Sequence, residues 1–156
     1  MPPKSPLSVP KKQKNYYSGK QKCHRVKMQV MTHYQTGQIL STCFAKGRIH
    51  DFKLLKLSMA YWLFKPFIVA DKGYQGIHQL GLIALIPFKA KKRQAIDRYL
   101  KQINLEINRR RIGIEHVFGV LKRFRILSTT YRNRRSRLGL RFNLIAAIYN
   151  LELLNN

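Results

Sequence analysis

Only six carboxylates stand among thirty-one lysines and arginines in this 156-residue chain, so where an acid is placed is informative. Asp71 directly follows Phe67-Ile68-Val69-Ala70, a short apolar run suited to a strand buried on both faces. It precedes the turn residues Lys72-Gly73-Tyr74-Gln75-Gly76. A carboxylate at the C-terminal end of a buried strand, before such a turn, occupies the crevice where α/β sheets bind ligands. Glu115 lies in a second stretch, Arg111 to Lys122, where Ile114, Val117, Phe118, Leu121 and Phe124 recur at helical spacing. Arg111, Glu115, Gly119 and Lys122 fall on a stripe beside that apolar face. Acids in so basic a surface repel phosphate unless a divalent magnesium ion bridges carboxylate to phosphate oxygen. Two such ions activate an attacking oxygen and stabilise the leaving one in phosphoryl transfer. Each acid also has a plainer reading. Arg111 and Glu115 form an i,i+4 ion pair of about 0.3–0.5 kcal/mol, and Asp71 shapes a turn.

Other chemistries are excluded by spacing. Gly73 and Gly76 match neither a phosphate loop nor a dinucleotide fingerprint. Five scattered histidines and two cysteines give no zinc pattern. No serine sits in a strand-to-helix elbow.

The formal net charge of +25 points to a polyanionic partner, nucleic acid before an anionic membrane surface. A hydrophobic content of 45% fits a folded domain with a real core rather than a disordered basic tail. Cys23 and Cys43 make no disulfide framework, which fits a reducing compartment. Met1 to Lys22 lacks the apolar core of a signal peptide. Leu138 to Leu154 is interrupted by Arg141, Asn143, Asn150 and Glu152, too short and polar to span a bilayer. These features predict a soluble, cytoplasmic protein associated with the nucleoid.

The elements that must position the acids follow in order. Residues 1–22 are proline-rich and then basic, an irregular lead-in whose Lys11, Lys12 and Lys14, interleaved with tyrosines, suit phosphate and base contacts. Residues 24–33 and 38–45 alternate as an antiparallel hairpin around Tyr34-Gln35-Thr36-Gly37, which sets Cys43 opposite a residue near Gln29, several residues away from Cys23. Asp51 is placed to cap a helix from Phe52 to Phe64. Residues 67–70 and 83–88 are apolar strands, separated by a helical turn at Ile77 to Gly81. A long helical region covers Ala95 to Arg123, with a break near Gly113. The run Arg132, Arg134, Arg135 and Arg137 is the densest basic segment, read as phosphate-contacting. Leu138 to Leu154 reads as a largely buried final helix.

Val69-Ala70-Asp71-Lys72-Gly73-Tyr74-Gln75-Gly76 resembles the segment carrying the second aspartate of DDE transposases of the insertion-sequence-5 family and the related Harbinger-type nucleases. Arg111, Glu115 and Lys122 reproduce that group's arginine–glutamate–lysine signature. The stretches Lys122-Arg123-Phe124, Tyr131 to Arg134 and Leu140 to Ile145 are similar too, as are Tyr17-Ser18-Gly19-Lys20 and His50-Asp51. Asn108 stands where the family often has tyrosine.

The resemblance implies an α/β, RNase H-like fold, with 23–156 forming a partial catalytic domain. It implies transposon-end and target DNA as partners, and magnesium or manganese as cofactor. Asp71 and Glu115 become catalytic, metal-binding acids, with Arg111 and Lys122 orienting the glutamate or holding DNA. The family's first aspartate maps near Met1, and no acid precedes Asp51. The expectation is therefore an N-terminally truncated transposase lacking most of its first strand, poorly stable and weak or dead alone. It would act with an upstream reading-frame product or as a homo-oligomer. The alternatives are a non-catalytic nucleic-acid-binding protein that inhibits transposition and a basic RNA-associated protein.

Overall fold

The computed structural model describes residues 4–6, 17–18, 23–60, 62–90, 95–128 and 137–155. Its longest strands form the hairpin β3 (Cys23–Thr32) and β4 (Ile39–Lys46), in register with Met28 opposite Phe44 and Gln29 opposite Cys43. The turn closes through the His33 N–H to Gln38 O at 2.8 Å. Gly37 adopts φ +73°, a conformation that only glycine takes without strain. Its carbonyl accepts from the Tyr149 hydroxyl at 3.4 Å.

Alternation along β3 splits the molecule into layers. Val26 and Met28 are buried on one face, against the helices α3 (Ile112–Leu121) and α5 (Leu138–Leu154). Lys27 and Gln29 point the other way, to α1 (Asp51–Met59), where Gln29 donates to Ser58 Oγ at 3.2 Å. Side-chain amides and hydroxyls then lock α5 onto β4. Asn150 accepts from the Ile39 N–H at 2.8 Å and donates to the Ile39 carbonyl at 2.9 Å. Thr42 donates to Asn143 at 2.6 Å.

A second, smaller cluster of Leu55, Ile77, Leu82 and Ala84 joins α1 to a two-stranded parallel sheet. That sheet comprises β5 (Ile68–Val69) and β6 (Ala84–Leu85). The helix α2 (Arg98–Arg110) is capped by Asp97, and its buried Asn104 both accepts from and donates to the Phe88 backbone, at 2.6 and 3.0 Å. A one-turn helix, α4 (Arg125–Ser128), follows α3.

Several expectations need correction. The lead-in over 1–22 is not irregular throughout: β1 (Lys4–Pro6) and β2 (Tyr17–Ser18) both pair antiparallel with β3. The edge of β3 opposite β4 offers free backbone groups, and pairing them outweighs the cost of a proline at an edge strand. The α1 cap is His50, whose ring nitrogen accepts from the Phe52 N–H, while Asp51 is the first helical residue. That helix stops at Met59, five residues short of Phe64. The β5 run is only half-buried, because one of its edges borders an open cleft. The helical region begins at Arg98 rather than Ala95, and its break, at Arg111, lies close to the one expected near Gly113. The final helix spans the expected residues, yet one whole face of it is exposed. Among the described residues, no helix is long and apolar enough to cross a membrane.

Candidate functional site

Asp71 leaves the C-terminal end of β5, as the sequence places it. Its Oδ1 accepts the Lys72 N–H at 2.6 Å, capping a 3-10 turn over Lys72–Tyr74, and its carbonyl accepts the Tyr74 N–H at 3.0 Å. The same oxygen meets the Arg111 guanidinium at 3.6 Å. Arg111 reaches it because the helix breaks there. With φ −86° and ψ −8°, Arg111 serves as C-cap of α2 and N-cap of α3. The arginine is mostly buried while the aspartate keeps 42% of its side chain in solvent, so the pair is a positioning contact more than a source of stability.

Glu115 sits in the first turn of α3, four residues after Arg111, where a negative charge complements the helix dipole. Its side chain is exposed, and the ion pair expected between it and Arg111 is replaced by Arg111 to Asp71. The apolar face of α3 is as read from spacing: Val117, Phe118 and Leu121 are buried and Ile114 and Phe124 pack beside them. Lys122, the C-cap of α3, and Arg137, the N-cap of α5, are both exposed. No described contact joins Lys122 or Arg137 to Asp71 or Glu115. Lys11, Lys12, Lys14, Arg132, Arg134 and Arg135 lie outside the described residues.

Two further groups face the Asp71 turn and are absent from the sequence-based site. Asp51 pairs with Lys27 at 3.0 Å, and its other oxygen lies 3.9 Å from where a Gly73 side chain would begin. Tyr74 lies in the field of both aspartates. Burial chiefly, then the charges of Asp51 and Asp71, raise its phenol above the ordinary range, with Arg111 partly offsetting them. The His50-Asp51 pair was the available signal, but helix capping accounted for it locally. The convergence of α1 on the β5 turn is a tertiary fact.

Tyr74 carries a testable consequence. The folded phenol ionises later than the unfolded one, so its stabilisation is complete below about pH 10 and fades as pH rises above that. Urea midpoints of the unsubstituted chain should therefore fall more steeply above that pH than those of Tyr74→Phe.

A cleft of about 770 Å³ opens beside Asp71. Its walls are Gln29 to Thr32 of β3 and Phe67 to Asp71 around β5, and α3 contributes Ile114 and Val117. Among the described residues, β5 pairs only with β6, and Met28 to Thr32 pair only with β4.

Hard carboxylate oxygens suit magnesium, but a cation of that class needs several ligands converging. Among the described residues no three acids, histidines or cysteines come together.

Residues 3–151 match the family described as Transposase DDE domain. The chain is also 47% identical over 150 residues to a "Probable transposase for insertion sequence element IS702" from Microchaete diplosiphon. That match covers 96% of this chain and 54% of the relative, so the chain spans about half the relative's length. No solved structure matches.

Proposed function

The chain belongs to the DDE transposases of insertion sequences, and we propose that it forms the C-terminal part of such an enzyme's catalytic domain. In this reading it is of the insertion-sequence-5 type, binds transposon and target DNA at the nucleoid, and contributes Asp71 and Glu115 to magnesium- or manganese-dependent strand cleavage and joining. The observation that carries the proposal is Arg111. Its guanidinium touches Asp71, and its backbone starts the helix that presents Glu115 one turn later. Asp71 is thereby held against the start of the helix that carries Glu115.

In this reading a third acid joins Asp71 and Glu115 at the metal, and none of the residues before Asp51 is acidic. The cleft between β3 and β5, whose facing edges are unpaired among the described residues, supports an RNase H-like sheet in which a further strand lies between them. A second reading, a non-catalytic DNA-binding inhibitor of transposition, draws on the absence of a three-acid cluster among the described residues.

Two measurements separate the readings. The chain should bind transposon-end duplex with an affinity that falls roughly 10³–10⁵-fold between 50 and 200 mM salt if it makes about 6–10 phosphate contacts. Metal-dependent nicking should appear only when a segment supplying the first aspartate is added. Binding without nicking even then favours the inhibitor. Equal affinity for RNA and duplex DNA would sink both.

A further inference from the structure

The helix α3 carries a glycine that its own fold does not call for. Gly119 lies inside the helix, where glycine is the poorest helix former after proline. Its backbone is ordinary α-helix, unlike the left-handed Gly37, Gly76 and Gly81. Among the described residues, a Cβ at Gly119 would meet nothing within 4 Å, whereas one at Gly139 of α5 would lie 3.6 Å from the Phe44 ring. Charge surrounds this bare stretch. Glu115 and Lys122 flank Gly119 along one side of the outer face, His116 and Arg123 along the other. Lys122 and Arg123 continue the spiral, since their N–H groups bond the Phe118 and Val120 carbonyls at 3.1 and 3.0 Å. All four flanking residues are exposed, and among the described residues none of them forms an ion pair. His116 also lines the cleft that opens beside Asp71, so the strip of bare backbone leads to that cleft.

We propose that the sugar–phosphate backbone of a DNA strand crosses α3 at Gly119. With no side chain there, the strand approaches the helix closely, and Lys122 and Arg123 reach its phosphates from the two flanks. Glu115, four residues earlier at about 1.5 Å of rise each, is then level with the same strand. Two features select this partner. The chain carries +25, and three of the four groups around Gly119 are basic side chains, which suits a polyanion. A protein partner gains from a side chain to pack against, whereas a phosphate backbone between cations gains from its absence. The inference deepens the nuclease reading and rests on it, because it lays the strand on the helix that carries Glu115.

The test sets duplex-DNA binding by the full chain, over roughly 50–200 mM salt, beside urea unfolding of the same samples. Gly119→Ala should raise the urea midpoint, because alanine favours the helix and has free space, and yet weaken binding. Gly119→Leu should weaken binding further at unchanged helical circular dichroism. It should also lower the slope of log affinity against log salt by about 2, as should Lys122→Gln with Arg123→Gln. Gln102→Leu, a leucine placed on the exposed face of α2, should change neither affinity nor slope. A gain in stability joined to a loss of binding is an outcome that a purely structural glycine does not give. Glycine variants that bind like the unsubstituted chain overturn the crossing, and so does an equal loss in Gln102→Leu. A lower urea midpoint for Gly119→Ala overturns it too, since the fold itself then requires the glycine. If the unsubstituted chain shows no salt-dependent duplex binding, the DNA reading falls first and the crossing with it.

Discussion

Asp71→Asn is expected to cut metal-dependent nicking by at least about a hundredfold in a reaction supplied with the first acid, because loss of even an outer partner of a metal site costs about 10–100-fold. The amide keeps the size of the side chain and can still accept the Lys72 N–H that caps the turn. The loss would therefore report charge and metal affinity and not a collapsed loop. DNA affinity should be nearly unchanged, or slightly higher, since removing a carboxylate leaves a more cationic surface. Glu115→Gln should behave alike, because Glu115 is exposed and holds nothing in the described fold together. Nicking assays and salt-titrated binding on the same samples check both statements. Nicking that persists in folded Asp71→Asn would remove it from the site and leave the Arg111 contact as a structural ion pair.

The second large effect concerns stability. Phe142→Ala should destabilise the chain by about 3–5 kcal/mol, measured by urea unfolding at high salt. The ring is fully buried and meets Phe44 edge-on, with centroids 5.3 Å apart at 87°. It also anchors α5 over the β3–β4 hairpin, next to the Thr42–Asn143 bond. A domain is stable by only about 5–15 kcal/mol, and this one carries a large self-repulsion, so the variant should be substantially unfolded at low salt. If the midpoint hardly moves, the packing of α5 on β4 is not what holds this core.

Much of the fold was legible because local rules and tertiary packing agree where the apolar pattern is strong. The hairpin lies within a residue of its expected limits, and Cys43 faces Gln29 as the turn requires. The last helix ends where its pattern ends. The β5 and β6 strands form inside their apolar runs but keep only two residues each, and the parallel pairing needs only the crossover between them. Element ends were less legible. Asp51 and His50 are both able to close a helix start, and the choice was made by Lys27, a partner 24 positions earlier in sequence that holds Asp51 from across the sheet.

The acids divide in the same way. By itself, the sequence determined that Asp71 follows a strand, that Glu115 lies beside the apolar face of a helix, and that the chain is strongly cationic. Each depends on neighbours within a few residues or on composition. Only the tertiary structure decided what those residues touch. It broke the helix at Arg111 and turned that guanidinium to Asp71 instead of Glu115, and it drew Asp51 and Tyr74 to the same turn. It also left one face of α5 open. These outcomes depend on which distant surfaces come together, and a side chain with two acceptable partners is settled only by where the backbone brings them.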